Sequence, residues 1–204
     1  HELLSKPDSK GFFCVSTSYR QEPNAIPGRH DIIFPMFEFE FPGNIDDLKA
    51  MEYELVDYLG FEKPTEKTYA EWQKHYGWGE HSDLTAEDEG KMYDEFTTAL
   101  ITDFPEFTSP FWNMSRYEDG ITSKKIDVIL GGMETIGSAE RSTDVEQMRD
   151  TFHTITDGQY SQLLYNLFGK DRVEAELEEF LKFEFFPRVG GGIGMTRMIA
   201  ALEK

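Results

Sequence analysis

The chain has 204 residues, 39% hydrophobic and 14% aromatic, enough to bury one sizeable core, whereas two independent domains would each be marginal. Lys plus Arg number 20 against 39 Asp plus Glu, a formal charge of −19; a field of that sign repels a polyanion at long range, which disfavours nucleic acid as a partner but leaves room for a local basic groove. Cys14 is the single cysteine, which excludes an intrachain disulfide and a multi-thiolate zinc site and fits a reducing, cytoplasmic setting.

No apolar run approaches the roughly 20 residues of a membrane-spanning helix, and the opening HELLSKPDSK lacks the apolar stretch of a signal peptide, so we expect a soluble protein without a membrane partner. The first residue is His1 and not Met, which leaves room for a segment upstream. Phe12 to Tyr19 and Ile32 to Phe41 are rich in aromatic and β-branched residues and flank the Gly/Pro cluster QEPNAIPGRH; they read as two strands joined by a long loop. In the second, Phe37, Phe39 and Phe41 alternate with Glu38 and Glu40, the period-2 pattern of a strand with one apolar and one acidic face. That acidic face either meets water or lines a site.

From Asn44 to Leu59, Ile45, Leu48, Met51, Leu55 and Leu59 recur at helical spacing, with Asn44 as N-cap and Gly60 as stop. Thr68 to His75 and Thr85 to Leu100 read as further helices around the glycine-broken YGWGEHSDL. Prolines punctuate Phe104 to Pro110, and Phe111 to Tyr117 and Ile126 to Leu130 read as strands on either side of an Asp119-Gly120 turn. Asp144 to Ile155, Gln159 to Phe168 and Arg172 to Phe183 read as helices, the last with Val173, Leu177, Phe180 and Leu181 inward. The run Gly190, Gly191, Gly192, Ile193, Gly194 then leads into Met195 to Leu202, read as a buried helix. The expected fold is one α+β domain over residues 1–204, with consecutive antiparallel strands and helices packed outside.

Three constellations carry possible chemistry. The segment GGGIGMTR is a glycine-rich turn opening a helix, where backbone N–H groups and the helix dipole either meet an anion or permit close packing that only glycine allows. Arg20, Glu22, Arg29 and His30 cluster on the loop between the first two strands; guanidinium groups there either grip phosphate or carboxylate or form ordinary surface pairs. Asp127 and Glu134 flank the strand-like IDVILGGME and are hard oxygen donors of the kind Mg2+ takes one or two of beside a triphosphate, although an acidic chain supplies such pairs by chance.

These segments carry a resemblance. SYRQE at Ser18 to Glu22, followed by GRHDIIFPMFEFE at Gly28 to Glu40, resembles the second signature of class II aminoacyl-tRNA synthetases, an FRxE strand, a loop and RHxxEFxxxEFE. IDVILGGMETIGSAER, Ile126 to Arg141, is similar without a gap to the FDVFxRGEEIxSGAQR segment of aspartyl- and asparaginyl-tRNA synthetases, with Asp127, Glu134 and Arg141 in register. RVGGGIGMTR, Arg188 to Arg197, resembles the HAGGGIGLER third signature, and YGWGEHSDLTAEDE the WGxDLxxEDE stretch of archaeal-type members. Four segments in the family's order span most of the chain.

The resemblance implies a class II synthetase-like antiparallel sheet flanked by helices, ATP and Mg2+, and roles residue by residue. Arg20 would grip the α-phosphate and the amino-acid carboxylate, Glu22 the adenine or the substrate amine, and Phe34 would stack on adenine. Arg197 would lie over the other adenine face or reach the terminal phosphates, with Arg29 and His30 near the triphosphate tail and Gly192 and Gly194 beside the nucleotide. Asp127 and Glu134 would carry Mg2+, and Arg141 with Glu38 would meet the amino acid. Arg20 and Arg197 are the implied catalytic residues, and a homodimer is implied as well.

Departures from the pattern are Gly137 where the family has a Ser, Glu140 in place of the Gln of GAQR, and Thr196 in place of the Glu of GLER. Neither the first class II signature nor an anticodon-binding domain is recognisable. The reading taken forward is a ligase that activates aspartate or a relative as its adenylate and passes it to ammonia or a small amine, as asparagine synthetase does. The alternatives are the catalytic domain of an aspartyl- or asparaginyl-tRNA synthetase, with tRNA as partner, and a non-catalytic paralogue that binds ATP or an amino acid.

Overall fold

A computed structural model describes residues 1–20, 26–27 and 31–204. Seven strands form one sheet in the order β1-β2-β7-β6-β5-β4-β3, where β1 is Phe12–Tyr19, β2 Ile33–Pro42, β3 Thr65–Thr68, β4 Thr98–Pro105, β5 Thr122–Leu130, β6 Met133–Arg141 and β7 Arg188–Gly194. All neighbours pair antiparallel except β3 with β4. The helices are α1 (Glu2–Ser5), α2 (Ile45–Tyr58), α3 (Tyr69–Tyr76), α4 (Ala86–Phe96), α5 (Val145–Thr154), α6 (Gln159–Phe168), α7 (Lys170–Phe180) and α8 (Met195–Leu202). The α+β architecture is the expected one, and none of the described helices is long and apolar enough to cross a membrane.

Local chemistry sets the helix starts. Asn44 accepts from the Asp46 and Asp47 N–H groups while Asp47 reaches back to the Asn44 N–H, a reciprocal cap. Thr68 with Glu71 and Thr85 with Asp88 repeat the device, and Asp144 caps α5 through Gln147.

Alternation along the strands sorts the core into layers. Leu48 and Val56 of α2 and Met198 and Ala201 of α8 cover one face of the sheet through Leu100, Ile126, Val128, Ile136 and Val189. On the other face, Tyr69 and Trp72 of α3 and Met92 of α4 pack on Ala99, Ile101 and Ile129. A third cluster joins α5, α6 and α7 around Met148, Phe152, Val173 and Leu177.

Several expectations change. The helix read to Leu100 stops at Phe96, because Thr97 turns to positive φ, and Thr98 onward becomes β4. Both faces of β4 are covered, so its TALI run shows no alternation that separates strand from helix. Phe111 to Tyr117 is not a strand; Met114 and Arg116 make isolated bridges, and the Arg116 guanidinium holds the segment through Glu106 at 2.9 Å and the Met114 and Pro110 carbonyls at 2.7 and 3.2 Å. The glycine run is no turn. It forms β7, paired on both edges, and Gly191 permits this because a Cβ there would lie 2.5 Å from Ser138 Cβ. Helix α8 is half covered and not buried throughout, since Ile199 and Leu202 are exposed.

Candidate active site

The centre of the sheet face that bears α3 and α4 is left open. Register explains why: one row across four strands reads Glu38, Gly192, Gly137, Asp127, and the next reads Glu40, Gly190, Ala139, Lys125. Small residues in the middle of each row leave a floor without side chains between charged walls. The result is a cleft of about 460 Å³ whose lining includes Arg20, Phe34, Glu38, Glu134, Arg141 and Arg197.

A bulge assembles the carboxylate pair. Val128 pairs with Ile136 but Ile129 pairs with Glu134, so Thr135 has no partner in the ladder. Residues three apart on a regular strand face opposite sides; the extra residue turns Glu134 onto the same face as Gly137 and Asp127. A Cβ on Gly137 would lie 2.8 Å from Glu134 Oε1 and 3.5 Å from Asp127 Oδ1, so both carboxylates converge over this glycine. The Ser expected there by resemblance would have to displace Glu134. Asp127 is buried, and among the described residues its Oδ1 has no hydrogen-bond partner, while Lys125 Nζ contacts Oδ2. Burial pushes the Asp127 carboxyl up, Lys125 opposes that shift, and Glu134 adds to it.

Glu134 is anchored from two sides. Its N–H donates to Glu89 of α4 at 2.7 Å, and its carbonyl accepts from Arg197 at 2.6 Å, with Arg197 Nη1 3.9 Å from Glu134 Oε2. Among the described residues no three His, Cys, Asp or Glu side chains converge on one point. An orphaned buried oxygen, a second carboxylate and a bare floor nevertheless fit Mg2+, which takes few protein carboxylates and completes its shell with water and phosphate.

Farther along the floor, Arg141 Nε lies 3.8 Å from Glu40, and Glu40 also accepts from Arg188 at 2.9 Å. Arg188 is 2% exposed. Burial lowers the pKa of both guanidinium groups while Glu40 supports their charge. Glu38 lines the cleft and accepts from the Ser16 hydroxyl. At the mouth, the Arg20 guanidinium lies 5.2 Å from the Phe34 ring centroid, a cation–π contact. Gly194 opens α8 beside the cleft without a side-chain cap.

The structure thus brings Arg20, Phe34, Glu38, Arg141, Glu134, Gly192, Gly194 and Arg197 to one cleft, with Asp127 at its floor. Glu22, Arg29 and His30 lie outside the described residues. Glu140, which stands in place of the Gln of GAQR, serves α2: it accepts from the Ile45 N–H at 2.8 Å and from Lys124 at 2.7 Å. Neighbours on a strand point to opposite faces, and that separates it from Arg141.

Sequence reasoning missed Arg188, Lys125 and Glu52, and left Glu40 on a strand face that either met water or lined a site. Glu52 of α2 is fully buried and accepts from Ser138 Oγ at 2.5 Å, its other oxygen unpartnered among the described residues. Burial pushes its carboxyl up to about 8, with Ser138 opposing and Asp127 adding. Lys125 and Glu40 were legible as the same-face neighbours, two positions away, of Asp127 and Glu38.

Residues 8–204 match the family model of class II tRNA synthetases (D, K and N). No curated protein sequence matches the chain. Asparaginyl-tRNA synthetase from Pyrococcus horikoshii, solved with asparaginyl-adenylate, superposes with a TM-score of 0.78 at 18% identity, over 98% of this chain and 51% of that one. Asparaginyl-tRNA synthetase from Entamoeba histolytica, also with asparaginyl-adenylate, gives 0.77 at 20% identity, over 100% and 52%. Aspartyl-tRNA synthetase from the same organism gives 0.74 at 18%, over 95% and 45%. The chain therefore spans about half the length of the solved structures it matches. The family match and the shared fold place this chain among the class II tRNA synthetases of the D, K and N group.

Proposed function

We propose that the cleft activates an amino acid, aspartate or a relative, with ATP, giving an aminoacyl-adenylate and pyrophosphate, and that ammonia or a small amine then takes the acyl group as an amide. The observation that carries the first step is the convergence of Asp127 and Glu134 over Gly137, with Arg20, Arg141 and Arg197 around the same floor. Two of the matching structures carry asparaginyl-adenylate, which supports this chemistry for a chain of the same fold.

No side-chain nucleophile is needed, because the substrate carboxylate itself attacks the α-phosphorus. Arg20 grips the α-phosphate and that carboxylate and stabilises the charge that develops between them. Phe34 stacks on the adenine, Arg197 neutralises the triphosphate or covers the base, and the uncapped start of α8 offers N–H groups at Gly194. Asp127 and Glu134 hold Mg2+, which would offset phosphate charge. Arg141, backed by Glu40, meets the substrate side chain, and Glu38 meets its amine. Glu22, Arg29 and His30 keep the roles the family resemblance gives them.

Ammonia or an amine as acceptor rests on the charge of −19, which opposes docking of a polyanion. A second reading, the catalytic part of an aspartyl- or asparaginyl-tRNA synthetase, is favoured by the matching structures, which are such enzymes. A homodimer remains part of the proposal; Phe13, Val15, Tyr19 and Ile33, exposed on the outer strands β1 and β2, support it.

The test is amino-acid-dependent release of pyrophosphate and AMP across the standard amino acids with ATP and Mg2+, with ammonia or tRNA added separately. Turnover with one acidic amino acid that rises with ammonia and ignores tRNA is the expected result. Stimulation by tRNA would transfer the acceptor role to it, and no release with any amino acid would refute the activation step.

A further inference from the structure

Lys125 has no role in the activation chemistry, yet it sits at the centre of the charged cluster. It stands two positions before Asp127 on β5, hence on the same face, and opposite Ala139 on the floor. Its ammonium contacts Asp127 Oδ2 and lies 3.7 Å from the Phe104 ring centroid, so a carboxylate and an aromatic face hold it together. Solvent does little to screen the pair, since the two side chains are 21% and 5% exposed.

The other oxygen of that carboxylate, Asp127 Oδ1, is buried without a hydrogen bond among the described residues and turns to Gly137, where Glu134 Oε1 also arrives. Glu134 has its own cation in Arg197, whose Nη1 lies 3.9 Å from Oε2. Each carboxylate of the pair is thus already matched by one positive side chain, and the quartet sums to zero. A divalent ion entering alone would add two positive charges next to Lys125, only part of which the Glu89 carboxylate beside the quartet offsets. Entering with a triphosphate, it brings more negative charge than it adds.

We propose that Lys125 is a resident cation of the metal site, which holds off a free divalent ion and makes retention of the ion depend on the nucleotide bound with it. The inference rests on the assignment of Asp127 and Glu134 as the metal-holding pair under the proposed function. Lys125 is a positioning residue in this scheme: it fixes Oδ2, presents Oδ1, and sets the order in which ion and nucleotide assemble.

Mn2+ titration followed by electron paramagnetic resonance tests this without turnover. Wild type, Lys125→Met and Lys125→Arg are titrated alone and with the α,β-methylene analogue of ATP. Lys125→Met should bind Mn2+ at least about tenfold more tightly than wild type in the absence of nucleotide, because the repulsion is removed. Lys125→Arg keeps the charge and should follow wild type, and the analogue should tighten Mn2+ binding to wild type by about tenfold or more. Lys125→Gln, a second neutral variant, repeats the comparison should the Met variant fold poorly. Unchanged or weaker Mn2+ binding by folded neutral variants would overturn the inference, as would tight binding by nucleotide-free wild type. Pyrophosphate release is measured separately, so loss of the activation step and loss of the resident-cation role are distinguishable.

Discussion

Glu52 offers the sharpest quantitative test of the packing. Its side chain is fully buried on the covered face of the sheet, with one hydrogen bond to Ser138 and a second oxygen unpartnered among the described residues. Burial raises its carboxyl from 4.5 to about 8, so the folded state binds a proton that the unfolded chain releases near its ordinary value. The stability this proton supplies is fully present below pH 4.5 and is lost as pH rises through about 8. At about 1.4 kcal/mol per pH unit, the loss between those limits is about 4 kcal/mol. Glu52→Gln removes the titration while keeping a neutral hydrogen-bonding group of the same shape beside Ser138. Urea unfolding of both proteins at pH 5, 6, 7 and 8 measures the difference. The variant should match wild type to within about 1 kcal/mol near pH 5 and exceed it by about 3 to 4 kcal/mol at pH 8. A difference that stays constant across that range would show that Glu52 does not hold a proton in the folded protein, and the reasoning would fail.

Arg20→Ala should abolish pyrophosphate release while leaving the melting temperature unchanged, since Arg20 lines the cleft and its ring contact is with Phe34; a fully active variant would remove Arg20 from the site. Phe34→Ala should weaken binding of an ATP analogue by about tenfold through loss of stacking, and calorimetry showing equal affinity would count against adenine at this ring. Gly191→Ala should cost about 3 kcal/mol or more in urea unfolding, because the new Cβ would meet Ser138 Cβ at 2.5 Å and the Gly137 carbonyl at 2.7 Å; wild-type stability would mean that β6 and β7 are not this close. Glu40→Gln should cost about 3 kcal/mol by leaving Arg188 buried without its carboxylate, and a neutral effect in the same assay would show that Arg188 finds other compensation.

What the sequence made legible follows from where the physics is local. Helix caps depend on a few adjacent residues: Asn44 caps α2 as read, and Thr68, Thr85 and Asp144 cap helices whose expected ranges begin at those residues. Strands β1 and β2 showed themselves through their aromatic and β-branched content, and β2 through its alternation as well. Strand β4 did not, because packing on both faces leaves a continuous apolar run, and β7 did not, because its glycines answer to neighbouring strands and not to a turn. Glu52 was readable in part. It falls at helical spacing between Leu48 and Val56, the residues α2 buries, whereas the expected stripe ran through Met51 and Leu55.

In the cleft, the family resemblance pointed to Asp127, Glu134 and Arg141, but nothing in the sequence announced the Thr135 bulge that turns Glu134 toward Asp127. The opposite facing of Glu140 and Arg141 follows from strand period alone, once β6 is recognised as a strand. Arg188 escaped notice because its partner Glu40 is 148 residues away in sequence.

The most direct test of the central claim follows one oxygen atom. Aspartate labelled with oxygen-18 in both carboxylates is turned over with ATP and ammonia, and the AMP and phosphate products are analysed by mass spectrometry. If the substrate carboxylate attacks the α-phosphorus, acyl transfer leaves one labelled oxygen on AMP. Label appearing in phosphate with ADP, or unlabelled AMP formed during turnover, would contradict adenylate chemistry in this cleft.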